Sequence, residues 1–170
     1  MKARIHRIFV CLLTYFGLIL ITSGQEWEVS AGIGLPEVPN VSGRLYGNDV
    51  TLGAGYGFVP GNDLRTINVD FGVFYGKPAK NAEARKSVGR LVFTHYREET
   101  NSRIFNYSYL AVRAGRKYFF SEHIGLNLEG GLAFKVGENI INKDGSNSFN
   151  LITVFDNVFP AASLKFFYRF

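Results

Sequence analysis

Apolar and polar residues alternate along most of the chain at the period of two that sends successive side chains to opposite faces of a strand. Trp27, Val29, Ala31, Ile33 and Leu35 share one face, and Glu26, Glu28, Ser30, Gly32 and Gly34 share the other. Val50, Leu52, Ala54, Tyr56 and Phe58 oppose Thr51, Gly53, Gly55 and Gly57. Ile67, Val69, Phe71, Val73 and Tyr75 oppose Thr66, Asn68, Asp70, Gly72 and Phe74. Further along, Leu110, Val112, Ala114 and Tyr118 oppose Arg113, Gly115 and Lys117, and Ile124, Leu126, Leu128, Leu132, Phe134 and Val136 oppose Asn127, Glu129, Gly131, Ala133 and Lys135. At the end, Ala162, Leu164, Phe166, Tyr168 and Phe170 face away from Ser163, Lys165, Phe167 and Arg169.

Turn residues punctuate this pattern. Pro36, Pro39 and Asn40 end the first strand, Gly47, Asn48 and Asp49 form a tight hairpin, and Pro60, Gly61, Asn62 and Asp63 form another. A short strand is predicted over residues 41–46, and others over 88–97 and 104–119. The facing of residues 88–97 is open, because Leu91 and Phe93 compete with Val92 and Tyr96 for the apolar side. Residues 142–148 make a loop tip, and the return strand runs from about Phe149 to the last residue, with a bulge or register shift expected at Pro160. The count is eight strands. Joining residues 41–58 into one strand gives seven, which ranks lower, since an even number returns both ends to one side of a closed barrel.

The fold class is therefore all-β, an antiparallel up-and-down barrel. Alternation alone does not say which face points outward: a soluble lipocalin-like barrel turns its apolar face to a cavity, and a membrane barrel turns it to lipid. Glycine beside charge on the polar faces, as in Gly131 with Glu129 and Lys135, suits a crowded small-barrel interior. Trp27, Phe58, Tyr75, Tyr118 and Tyr168 stand near strand ends, where interfacial aromatic girdles form. Both features favour a transmembrane barrel.

Composition changes this picture only at the start. Lys2, Arg4 and Arg7 lead into an uncharged, mostly apolar run over residues 8–21, too short for the ~20 residues of a spanning helix. With Thr22 and Gly24 ahead of Gln25, residues 1–24 read as a secretory signal peptide, and residues 25–170 as one barrel domain. Cys11 lies too early in the apolar run for a lipidation site. Loss of that leader takes the chain's one cysteine and leaves sixteen basic residues against fourteen acidic, so a nucleic-acid partner loses its support.

An eight-stranded barrel is filled by its own side chains. The inward charges, Glu28, Asp70 and Glu129 with Arg44, Arg113, Lys117, Lys135, Lys165 and Arg169, are expected to form a buried network that closes the lumen rather than conducts. No catalytic, cofactor or metal site is read. Gly53, Gly55 and Gly57 precede no helix and are not a phosphate loop. Neither His95 nor His123 opens a His-x-Ser pair; His95 has no Ser or Asp partner at short spacing, His123 lies in a predicted turn, and both read as solvated or interfacial imidazoles. The basic loop at residues 77–87 reads as a solvated linker, with anionic head groups or a cell-wall polymer as its alternative ligands.

The last strand carries a resemblance. Alternating Leu164, Phe166 and Tyr168 with a final Phe170 resemble the assembly signal of Gram-negative outer-membrane β-barrels, and the whole pattern is similar to small barrels of the OmpA/OmpX type. That resemblance implies an outer-membrane location, lipid and the barrel assembly machinery as partners, cell-surface or cell-wall ligands at the loops, and a non-enzymatic structural or surface-interaction role. The alternatives are a lipid-modifying acyl enzyme, which needs a rim histidine beside a nucleophile, and a soluble carrier, which needs an apolar cavity.

Overall fold

The computed structural model describes residues 26–47, 49–75, 87–143, 147–150 and 158–170. The expected leader and nearly all of the basic loop lie outside the described residues. The strands are β1 (Glu26–Leu35), β2 (Asn40–Tyr46), β3 (Val50–Val59), β4 (Leu64–Tyr75), β5 (Ser87–Glu99), β6 (Arg103–Phe119), β7 (Ile124–Asn142), β8 (Asn147–Asn150) and β9 (Val158–Arg169).

Each strand from β1 to β7 pairs antiparallel with the next. Both β8 and β9 pair with β7, so together they occupy the eighth position. β9 then pairs with β1, from Glu28↔Arg169 to Leu35↔Ala162, and the ring is closed. An eight-stranded antiparallel barrel results, with no open edge along β1 or β9. Its lower end carries Glu26, Phe170 and the 120–123 turn; its upper end carries the turns at residues 36–39, 60–63 and 100–102.

The alternation resolves with the apolar face outward. Ile33, Val69, Val112, Leu132 and Phe166 are exposed, whereas Glu28, Arg44, Asp70, Arg113 and Lys117 are buried inside. Trp27, Tyr75, Tyr118, Phe120, Tyr168 and Phe170 ring the outer surface at the lower end. Strand β5 turns Leu91 and Phe93 out and Val88, Arg90, Val92 and Thr94 in. Val92 packs there with Ala111, Ala133 and Ala161 in a small apolar cluster, and Val88, Tyr46 and Phe167 are also buried.

Two irregularities differ from expectation. Pro160 causes no shift: it pairs in register with Leu132, beyond the last β1 partner of β9, Ala162, where a missing N–H interrupts no second ladder. The bulge lies instead between β6 and β7, where Tyr109↔Lys135 is followed by Ser108↔Gly137. It resets the phase of β7, which continues to Asn142, six residues past the Val136 limit of its clean alternation. Just above the bulge the outward face of β5 to β7 carries His95, Ser108 and Asn139 in place of Phe93, Leu110 and Phe134, before the Ile104–Ile141 pair.

Candidate functional site

Strand parity sends Glu28, Arg44, Asp70, Arg90, Arg113, Lys117, Glu129 and Lys165 into one lumen from seven strands, and they meet as a single alternating series. Lys117 contacts Glu28 at one end. Glu28 lies 2.9 Å from Arg44, and Arg44 3.2 Å from Asp70. Asp70 lies 2.7 Å from Arg90, and Arg90 2.8 Å from Glu129. The series continues from Glu129 to Arg113 at 3.9 Å, from Arg113 to Glu37 at 3.0 Å, and from Glu37 to Lys165 at 3.3 Å. Every carboxylate thus sits between two cations, and a lysine closes each end.

Hydrogen bonds and aromatic faces complete the series. Arg44 donates to both oxygens of Asp70 from Nε and Nη2, and Tyr46 donates its hydroxyl to Glu28 at 2.7 Å. Asn127 donates to Glu129 at 2.6 Å. Arg90 Nε approaches Glu129 as an ion pair whose N–H is not aligned for a hydrogen bond. Lys117 lies over the rings of Tyr46 and Phe167, 4.4 and 4.5 Å from their centroids, so its ammonium is held by π faces as well as by Glu28. Burial of charge is costly unless partners replace water, and here each charge has them.

Two residues expected in the interior network stand apart from the series. Lys135 lies above it near the bulge, 2.7 Å from Glu138 and over the Tyr107 ring. Arg169 lies at the lower rim, 3.1 Å from the half-exposed Glu26 and over the Tyr46 and Phe119 rings. Conversely, Arg90 and Glu37 belong to the series and were missing from the sequence-based set. Arg90 was obscured by the ambiguous facing of β5, and Glu37 by its position in a turn.

Of the residues expected to form an assembly signal, Leu164, Phe166 and Tyr168 lie on the outward face of β9, paired through Leu164↔Ile33, Phe166↔Ala31 and Tyr168↔Val29 with β1, and Phe170 is exposed just beyond the strand. His123 is exposed at the lower end, its Nδ1 3.0 Å from the Arg169 carbonyl. His95 has a partner that spacing could not show: its Nδ1 lies 3.3 Å from Ser108 Oγ, across the β5–β6 ladder. Among the described residues no carboxylate bonds to that histidine, and no group of three His, Cys, Asp or Glu side chains is placed to hold a metal ion.

These features define a class: a closed eight-stranded barrel, apolar outside and filled with paired charge. Comparison with protein-family models, curated proteins and solved structures found no match for the chain.

Proposed function

We propose that this chain is an outer-membrane β-barrel of a Gram-negative bacterium, exported by a cleaved leader and serving a non-enzymatic structural or surface-interaction role with a closed lumen. One observation carries the reading: large apolar side chains cover the outside while nine charges are paired within. An apolar exterior of this extent is unstable in water and matches hydrocarbon. A lipocalin-like carrier requires the reverse, an apolar interior able to hold a ligand. Lipid and the assembly machinery are the partners this reading implies, and ligands, where they bind, meet the upper turns and the hairpin wall above the bulge. Fractionation of the producing cells tests it: recovery in the outer membrane, with a heat-dependent shift in gel mobility, is expected. Recovery as a soluble periplasmic protein refutes it.

A second reading, acyl-ester hydrolysis, is favoured only by the His95–Ser108 contact, set where the outward face changes from apolar to polar. A histidine beside a serine is the minimum of an activated nucleophile. Release of labelled acyl chain from a phospholipid vesicle by the purified protein, abolished by Ser108→Ala, would support it. No release from the wild-type protein would dismiss it.

A further inference from the structure

The turn of residues 36–39 folds into the barrel instead of away from it. Pro36 is buried and Glu37 is 1% exposed. Thr66 donates its hydroxyl to the Glu37 carbonyl at 2.8 Å, Asn40 donates its side-chain amide to the Val38 carbonyl at 2.8 Å, and the Val38 amide donates to Gly34 at 2.8 Å. Val38, a β-branched residue, is held at a φ of 55°. That region is unfavourable for such a side chain and persists only where the surroundings over-determine it. The wall is shaped around the turn: a side chain at Gly57 would collide with the Glu37 carbonyl and come within 3.0 Å of the Pro39 carbonyl, and one at Gly34 would come within 2.7 Å of the Glu37 carboxylate.

The carboxylate lies in a cation site contributed by the strands. Arg113 on β6 and Lys165 on β9 are both buried, and Glu37 Oε2 lies 3.0 Å from Arg113 Nη1 and 3.3 Å from Lys165 Nζ. Arg113 Nη2 also donates to the Leu35 carbonyl at 2.8 Å, which fixes its guanidinium at the base of the turn. Among the described residues Lys165 has no other carboxylate within ion-pair distance, and Arg113 has only Glu129 at 3.9 Å. The strands supply the site; the turn supplies the ligand.

We propose that Arg113 and Lys165 form a binding site for a small carboxylate at the upper mouth of the lumen, and that Glu37 occupies it as a tethered ligand, making the turn a plug held by its own counter-ion. Charge and size argue for this. With Glu37 the series holds five cations and four anions; without it, five cations face three anions in a buried lumen, where an uncompensated charge recruits whatever anion fits. Truncation of glutamate to alanine removes one methylene and one carboxylate, the size of acetate. The tether gives Glu37 an effective concentration that free carboxylates do not match, so the unmodified site stays filled.

Acetate rescue tests the site. The Glu37→Ala protein is unfolded thermally in detergent at neutral pH with increasing sodium acetate, or with a bulky sulfonate salt at equal concentration. Glu37→Asp, which keeps a carboxylate on the turn, serves as the second variant. The expected result is a lowered melting temperature for Glu37→Ala that acetate raises saturably and sulfonate does not, a wild-type protein that responds equally to both salts, and a smaller loss in Glu37→Asp. If Glu37→Ala fails to refold in buffer, refolding yield becomes the readout, and recovery with acetate alone supports the site. Equal responses to acetate and sulfonate, a Glu37→Ala protein as stable as wild type, or failure to refold even with acetate would each overturn it. The readout is taken in detergent, so it stands apart from the question of which membrane holds the barrel.

Discussion

Leu132→Arg asks which solvent meets the outer face. The outward positions of β6 between Arg116 and Ser108 are Ala114, Val112 and Leu110, an apolar run bracketed by two polar positions eight residues apart. At a rise of about 3.4 Å per residue and a tilt of about 40°, that run climbs roughly 21 Å, close to the ~25 Å apolar band of an outer-membrane barrel. Val112 stands midway, and its partner on β7 is Leu132, 51% exposed. Leu128 is a poorer probe because its partner is Arg116, an outward cation lying over the Tyr118 ring near the lower girdle. An arginine at the bilayer midplane costs about 2–4 kcal/mol, whereas a surface substitution in water stays within about 0.5 kcal/mol. The former is roughly a thirty- to several-hundred-fold change in the folding equilibrium. A reversible denaturant titration in lipid vesicles reads the difference directly, with Asn139→Arg, on the outward face just above the bulge, as the expected silent control. A Leu132→Arg protein within about 0.5 kcal/mol of wild type would refute the assignment of the outer face to lipid.

In the same titration Asp70→Asn, which removes the carboxylate shared by Arg44 and Arg90, is expected to cost about 3–5 kcal/mol; a loss below about 1 kcal/mol would show that the series tolerates a missing member. Glu129→Gln is expected in the same class of loss, because Glu129 contacts both Arg90 and Arg113, and is readable by the same midpoint shift. Gly131→Ala would drive a Cβ into the Val112 carbonyl and to within 2.8 Å of Arg113 Cα, while Gly130→Ala meets nothing within 4 Å. The first is expected to lose about 1–3 kcal/mol or to misfold and the second to be neutral, and equal effects would refute this packing. At the exposed tip of the hairpin wall, Lys143 lies 3.2 Å from Glu99 and, with Arg97, holds its carboxyl below the ordinary glutamate range. The attraction is present above the unfolded carboxyl's pKa and fades as pH falls through the lower folded one. A carboxyl NMR titration should show a depressed Glu99 midpoint that rises in Lys143→Met; an unchanged midpoint would count against the contact.

Strands, turns and barrel class were legible because one physical variable, side-chain polarity at period two, repeats through β1, β3, β4 and β9 with few exceptions. The facing of β5 was not, because Val88 and Val92 face inward while Leu91 and Phe93 face outward. Polarity does not separate those faces; the partners of Arg90 do, since only the inward side offers both Asp70 and Glu129. Glu37 was missed because a turn has no periodicity to read. Charge balance held a signal all the same: the inward set read from sequence has three carboxylates against six cations, a large deficit for a buried network, and Glu37 is the acidic residue in the turn that directly follows β1. The His95–Ser108 contact depends on cross-strand register, which no spacing along one strand encodes.

The charged lumen specifies the fold more than it strengthens it. Well-packed apolar residues often replace buried ion pairs with no loss of stability. In this barrel such a replacement would make both faces of each strand apolar, and a one-residue slip, which exchanges the two faces, would then cost little. With charge inside, a slip in β6 would turn Arg113 and Lys117 outward and bring Val112 and Ala114 into a lumen of carboxylates. A slip in β4 would take Asp70 from Arg44 and Arg90 together. Because each carboxylate is shared between cations on different strands, one misplaced strand unpairs its neighbours as well, and the penalty spreads around the ring. The alternating series therefore acts as a register code for closure, read by every strand that contributes to it, and Glu37 completes that code from a turn.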